Sequence, residues 1–206
     1  MDEIIRTIEG LKNNGVGKIV DSKIKEFQSF SKKSNDVLFK EMCFCILAAN
    51  FTAERAFKIQ KAVGNRFLTM TEKQLAKELK KLGHRFPNSR AKHIVMARAH
   101  KDNLKEILQM EREQLRNWLV ENVMGLGYKE ASHFLRNIGK TDYAIIDFHI
   151  IDVLAKHNLI EMPKTVTKKK YLKIERILQK IAQKTELKLG ELDLYLWHLE
   201  TGKVLK

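Results

Sequence analysis

Apolar residues recur along the whole chain at helical spacing, in segments separated by short polar breaks, and each break carries a start or stop signal for a helix. Alternation of the kind a half-buried strand requires is scarce. Two prolines and ten glycines in 206 residues are too few for an architecture of many short strands and tight turns. The chain is therefore expected to be an array of helices. A hydrophobic content of 44% is enough to offset the ordering of the backbone, so a packed body of one or two domains is expected rather than a disordered one.

After a basic amphipathic N-terminal stretch, Ser34-Asn35-Asp36 reads as the cap of a helix through Phe39, Met42, Phe44, Cys45 and Ile46. Thr52 caps another that runs toward Val63 and Gly64. Thr71-Glu72-Lys73-Gln74 has capping-box spacing, with Gly83 placed to follow that helix's C-terminus. Pro87 and Asn88-Ser89 open a helix expected from about Arg90 to Ile107. Further helices are expected at about Glu113–Val123, Lys129–Ile138, Asp147–His157, Thr167–Lys184 and Glu191–Glu200.

Cys43 and Cys45 cannot by themselves build a four-cysteine zinc site or ligate an iron–sulfur cluster, and Cys-x-Cys is a poor disulfide spacing. Set in the apolar run Met42–Ala48, they read as small core residues in a reducing, cytoplasmic setting. The start Met1-Asp2-Glu3-Ile4-Ile5-Arg6 lacks a basic region followed by an apolar stretch, and no apolar run is long enough to span a bilayer, so secretion and membrane insertion are disfavoured. Thirty-nine Lys and Arg against twenty-five Asp and Glu leave a formal charge of +14, a field that attracts polyanions and puts nucleic acid first among expected partners.

Met124-Gly125-Leu126-Gly127 joins two helical patterns, and its two glycines make positive φ available at both positions. This is a helix–hairpin–helix signature. Without Cβ atoms the turn can press its amides onto a phosphate, and the start of the next helix adds free N–H groups and positive dipole. Such a module holds a nucleic-acid backbone without reading sequence.

On the helix that follows, helical steps set Ala131, Phe134, Leu135 and Ile138 on one side and Lys129, Ser132, His133 and Arg136 on the other, so Lys129 is expected to face away from the local core. Lys129 also lies in the first turn, where the helix dipole opposes a positive charge and favours the free amine that a nucleophile needs. Eighteen residues on, Asp147 follows the apolar pair Ile145-Ile146. It suits a helix N-cap, and equally a rigid carboxylate beside a developing cation; the two roles can coexist.

Gly-Leu-Gly-Tyr-Lys129 with Asp147 resembles the helix–hairpin–helix superfamily of base-excision DNA glycosylases, and its spacing fits the bifunctional members. Gly127-Tyr-Lys-Glu-Ala-Ser-His-Phe-Leu-Arg-Asn137, Cys43-Phe-Cys-Ile-Leu with Ala48-Ala-Asn-Phe-Thr52, Leu82-Gly-His-Arg-Phe86, Glu191-Leu-Asp-Leu-Tyr-Leu-Trp197 and the ending through Lys206 are similar to the archaeal-type 8-oxoguanine DNA glycosylase/AP lyase family over most of the chain. The resemblance implies an all-α fold of two helical subdomains flanking a cleft, without an iron–sulfur cluster. About 65–155 would form a central subdomain carrying the hairpin 123–138, and 1–64 would pack with 156–206.

It implies that Lys129 forms a Schiff base with deoxyribose and that Asp147 stabilises cationic sugar. Gly125, Gly127, Tyr128 and His149 would contact the DNA backbone, and Phe86, Trp197 and Lys206 the oxidised base. Asn50 and Phe51 would reach into the gap left by the flipped base. No metal or cofactor is implied, although the hairpin is a candidate seat for a monovalent cation. The expected partner is duplex DNA containing oxidised guanine, bound by a monomer. The sequence departs from other branches of the superfamily: Met124 stands where many hairpins have Pro, and no Pro precedes Asp147. The residues alone leave two other readings open, a noncatalytic phosphate clamp and a monofunctional glycosylase that activates water through Asp147.

Overall fold

The computed structural model describes residues Met1–Leu205; Lys206, one of the expected base-pocket residues, lies outside them. The chain falls into two compact units, one made of Met1–Ser29 with the chain from Leu135 onward, the other of Phe30–Phe134. These divisions lie apart from the expected ones near residues 64 and 155.

The second unit is organised around the helix α3 (Asn35–Ala48). Ten of its residues, Leu38, Phe39 and Glu41–Ala48, are buried, and all of these but Glu41 are apolar, as suits a central helix. Around it pack α4 (Ala53–Val63), the 3-10 turn Gly64–Leu68, α6 (Pro87–Ala97) and the short α7 (Leu104–Ile107), while α5 (Glu72–Lys81) lies along α6. This packing places α3 and α4 with the residues that follow them, and not with the chain's N-terminal helices. The unit continues through α8 (Arg112–Asn122) into α9 (Tyr128–Asn137), within which the division falls.

Ser34 and Thr52 stand at the N-cap positions of α3 and α4, but neither side chain makes a capping hydrogen bond. Thr71 and Gln74 form the expected capping box of α5. The long helix expected over 90–107 is instead broken after Ala97 by a 3-10 turn, Arg98–His100, before α7. Long-range polar contacts hold the break. Arg98 Nε donates to the Phe67 carbonyl at 2.8 Å, the Asn35 side chain takes the Lys105 N–H at 3.1 Å, and Lys101 pairs with Asp36 at 3.2 Å.

In the first unit α12 (Leu189–Thr201) is the central helix, contacting α1 (Asp2–Lys12), α2 (Gly15–Ser29), α10 (Phe148–Lys156) and α11 (Lys168–Lys184). A buried ion pair joins Arg136 at the end of α9 to Asp193 at 3.2 Å, and the Arg136 guanidinium lies 4.7 Å from the centre of the Phe27 ring. Gly190 makes this approach possible, because a Cβ there would lie 2.7 Å from Arg136 Cγ and 3.1 Å from Thr141 Cβ. Among the described residues no helix is long and apolar enough to cross a membrane. Cys43 and Cys45 are wholly buried, and burial pushes the Cys43 thiol well up, as suits core residues rather than reactive ones.

Candidate active site

The hairpin between α8 and α9 is closed by the Leu126 N–H donating to the Val123 carbonyl at 3.1 Å. Gly125 sits at φ +93°, where L side chains are strained, and a Cβ on it would come within 2.5 Å of His93 Nδ1. The sequence offered positive φ at both glycines, but the backbone uses it only at Gly125. What acts on Gly127 is a carboxylate: its N–H donates to Glu130 Oε2 at 3.2 Å, and its carbonyl accepts from Ala131 at 2.9 Å as α9 begins. Glu130 Oε1 lies 3.1 Å from Lys129 Nζ, with 26% of the lysine side chain exposed.

Tyr128 is half-buried at the hairpin itself. Its hydroxyl donates to the Asn117 side chain on α8, and the Arg116 guanidinium lies 5.1 Å from its ring centre. The expected division of α9 into apolar and solvent-facing sides does not hold. Ser132, His133 and Arg136 are all buried, as are Ala131, Phe134, Leu135 and Ile138. Each polar group has company that helical spacing cannot reveal: Arg116 Nη1 lies 3.3 Å from Ser132 Oγ, and His133 meets the Phe44 ring edge-on at 5.5 Å. Lys129 alone of that set remains half-exposed.

Asp147 is the N-cap of α10. Its Oδ1 accepts the Ile150 N–H at 3.0 Å, and its carbonyl accepts from Ile151 at 3.0 Å. The buried segment Tyr143–Ile146 delivers it there, and α11 holds that segment by two side chains one turn apart. The Tyr171 hydroxyl donates to the Ala144 carbonyl at 2.7 Å and accepts from the Ile146 N–H at 3.3 Å, while Glu175 accepts the Ala144 N–H at 3.3 Å. Sequence reasoning missed both residues, which look like ordinary members of an amphipathic helix. Just beyond Asp147, His149 lies between two aromatics, 3.9 Å from the Phe148 ring centre and 5.5 Å, edge-on, from Trp197. Phe148, also missed, is 66% exposed.

Phe51 of the wedge candidates and the pocket candidate Phe86 meet at one buried histidine. His84 Nε2 is 3.0 Å from the Leu47 carbonyl, its Nδ1 accepts the Phe86 N–H at 3.0 Å, and its ring lies 4.3 Å from that of Phe51. The accepted hydrogen bond assigns the proton to Nε2. Burial lowers the pKa of His84, in keeping with the neutral ring, and burial likewise lowers that of His93, with Arg90 adding to it. Arg90 donates to the Ala49 carbonyl at 2.6 Å, beside the exposed Asn50 at φ +54°, and lies 5.5 Å from the Phe86 ring centre; Arg85 lies 5.0 Å from it. His84 stands inside the quoted Leu82–Phe86 motif, so its presence was visible although its role was not.

Among the described residues no three His, Cys, Asp or Glu side chains gather as a metal site. The family model for 8-oxoguanine DNA glycosylase matches residues 20–187. The chain is 54% identical to the 8-oxoguanine DNA glycosylase/AP lyase of Methanocaldococcus jannaschii, covering 98% of this chain and 99% of that one, and 47% identical to its counterpart from Korarchaeum cryptofilum, covering 100% and 99%. A crystal structure of the Methanocaldococcus jannaschii glycosylase/lyase in complex with a 15mer DNA containing 8-oxoguanine superposes with a TM-score of 0.96 at 52% identity, covering 99% of this chain and all of that one. That of the Thermotoga maritima 8-oxoguanine DNA glycosylase gives 0.94 at 39% identity, covering 100% and 99%.

Proposed function

Because the chain belongs to the 8-oxoguanine DNA glycosylase family, we propose that it excises 8-oxoguanine from duplex DNA and then cuts the strand, with Lys129 as the nucleophile for both steps. The observation that carries the assignment to Lys129 is its position: a half-exposed amine in the first turn of α9, directly after a glycine hairpin whose amide already engages an anion. The protonated amine has no lone pair, so it gives up its proton before it attacks C1′ of the damaged nucleotide. The glycosidic bond breaks, and its electron pair leaves with the base. Loss of the ring-oxygen bond then gives the Schiff base, whose acidified C2′ proton permits β-elimination and cleavage 3′ to the lesion.

Asp147 stabilises the cationic sugar as the glycosidic bond lengthens, and its fixed geometry as an N-cap supports that role because nothing has to reorganise when charge develops. The base must leave the duplex stack to be cut, at a cost of a few kcal/mol. Phe86 and Trp197 offer π-faces to receive it, Asn50 and Phe51 fill the gap behind it, and Gly125, Gly127, Tyr128 and His149 hold the backbone. The chemistry requires no cofactor. The hairpin turn is the seat we assign to a monovalent cation, and the enzyme acts as a cytoplasmic monomer.

Borohydride trapping on a duplex with one 8-oxoguanine tests the assignment. Wild type is expected to give a protein–DNA crosslink and Lys129→Gln none. Asp147→Asn, which caps a helix as well as Asp does, is expected to fold normally and to slow trapping by about 10²-fold or more. A crosslink that survives Lys129→Gln overturns the role of Lys129. Base release without any trapped adduct in the wild type would point to an attacking water.

A further inference from the structure

Glu130 makes two contacts that the mechanism above does not use. One carboxylate oxygen accepts the hairpin's Gly127 N–H at 3.2 Å, and the other lies 3.1 Å from Lys129 Nζ. Only 15% of the Glu130 side chain is exposed. The Arg90 guanidinium, buried on α6, adds a further positive charge acting on the same carboxylate. A single side-chain anion thus occupies the glycine amide that an open hairpin offers to a phosphate, and it neutralises the nucleophile at the same time.

We propose that Glu130 is a resident stand-in for a DNA phosphate: it tethers Lys129 to the hairpin amide while DNA is absent and yields that amide to a backbone phosphate when DNA binds. The inference rests on the reading of this hairpin as a DNA-backbone clamp. Glu130 stands third in α9, from where a Glu side chain reaches back to the residue before the helix, as in one arm of a capping box. Gly127 has no side chain to supply the other arm, so the contact lacks the reciprocal bond that would lock it. An anion is favoured at this helix end, and exchanging carboxylate for phosphate keeps one anion there throughout. Once the carboxylate leaves the amide, Lys129 is released from its tether. Glu130 is therefore a positioning residue: it touches the nucleophile and not the substrate.

The test measures binding of a duplex without a lesion, which separates affinity from chemistry. With the competitor removed, Glu130→Gln is expected to bind about three- to tenfold more tightly than wild type, and log K is expected to fall more steeply with log [salt] by up to about 0.9. A residue that merely capped the helix would give the opposite result, a lower melting temperature with equal or weaker binding, and that outcome overturns the proposal. Should the variant not fold, the wild type supplies the answer through its Gly127 amide NMR signal. A signal that shifts on saturation with the same duplex supports displacement, and one that does not move refutes it. If the clamp reading itself fails, the wild type neither binds the duplex nor forms a borohydride adduct. If only this proposal fails, both persist and Glu130→Gln binds no more tightly.

Discussion

Replacing Gly125 by Ala is the most direct perturbation of the hairpin, and the structure gives its size in two parts. At φ +93° an L residue is held in sparsely populated backbone space, at a cost on the order of 1–3 kcal/mol. The added methyl would also lie 2.5, 3.1 and 3.3 Å from Nδ1, Cγ and Cβ of His93. The two closest contacts are with the ring, which is buried at Nδ1 and has little room to turn away. His93 Nδ1 is buried without a hydrogen-bond partner and its Nε2 is 3.4 Å from Ser89 Oγ, so α6 itself must move, a further cost of about 1–3 kcal/mol. For a chain of this length each kcal/mol lowers Tm by about 2–4 °C, so Gly125→Ala should melt from roughly 4 °C to about 24 °C below wild type. Thermal melts of Gly125→Ala, His93→Ala and the double variant separate the parts. The double variant should recover the steric share, giving a coupling of about 1–3 kcal/mol and leaving the backbone share in place. A single variant that melts within about 1 °C of wild type, or strict additivity in the cycle, would refute this account of the glycine.

Two further perturbations reach other parts of the site. Tyr171→Phe removes the hydroxyl that serves both the Ala144 carbonyl and the Ile146 N–H, so it should destabilise the chain by about 1–3 kcal/mol and slow single-turnover trapping without weakening affinity for lesion-free DNA; unchanged trapping would show that Asp147 does not depend on this support. His84 and His93 have pKa values lowered by burial, so both stay neutral in the folded chain below the pH at which they charge when unfolded. Their contribution to stability is complete above about pH 6.5 and is lost as pH falls through the lower folded values. Wild-type Tm should therefore drop as pH falls below about 6.5, and less so in His84→Gln; a wild-type profile that stays flat below that pH would contradict the assignment.

What could be read from the sequence was whatever is decided within one helical turn. Thr71 and Asp147 cap the helices they were expected to cap, because an N-cap needs only its own backbone a few residues on. The errors share an opposite cause. Continuity of apolar spacing predicted one helix over 90–107, whereas Asn35 and Asp36, some seventy residues upstream, bind the 101–105 segment in a different shape. A helical wheel treats polar as exposed, and so it placed Ser132, His133 and Arg136 in solvent, although α9 meets Arg116, Phe44 and Asp193 from distant parts of the chain. Lys129 and Asp147 could be nominated because the proposed chemistry asks for a particular residue type at a particular helix end. Tyr171, Glu175 and His84 were not, since their work is to hold backbone from another element.

The two proposed catalytic residues stand at the same kind of place and are held in opposite ways. Both lie at a helix N-terminus, where the aligned peptide dipoles favour negative charge and oppose positive charge. Asp147 is in harmony with that field and is fixed by the fold: it caps α10 through Ile150, and Tyr171 and Glu175 secure the backbone that carries it. Lys129 is opposed by the field of α9, and what offsets the opposition is the neighbouring Glu130, a flexible side chain that other anions can replace. The chemistry asks for this asymmetry. A group that stabilises a transient cation contributes most when it does not move, whereas a nucleophile that bonds to C1′ and stays attached through ring opening and elimination has to follow its carbon. A carboxylate fixed by the backbone and an amine tethered by an exchangeable partner meet those two demands with side chains drawn from the same local rule.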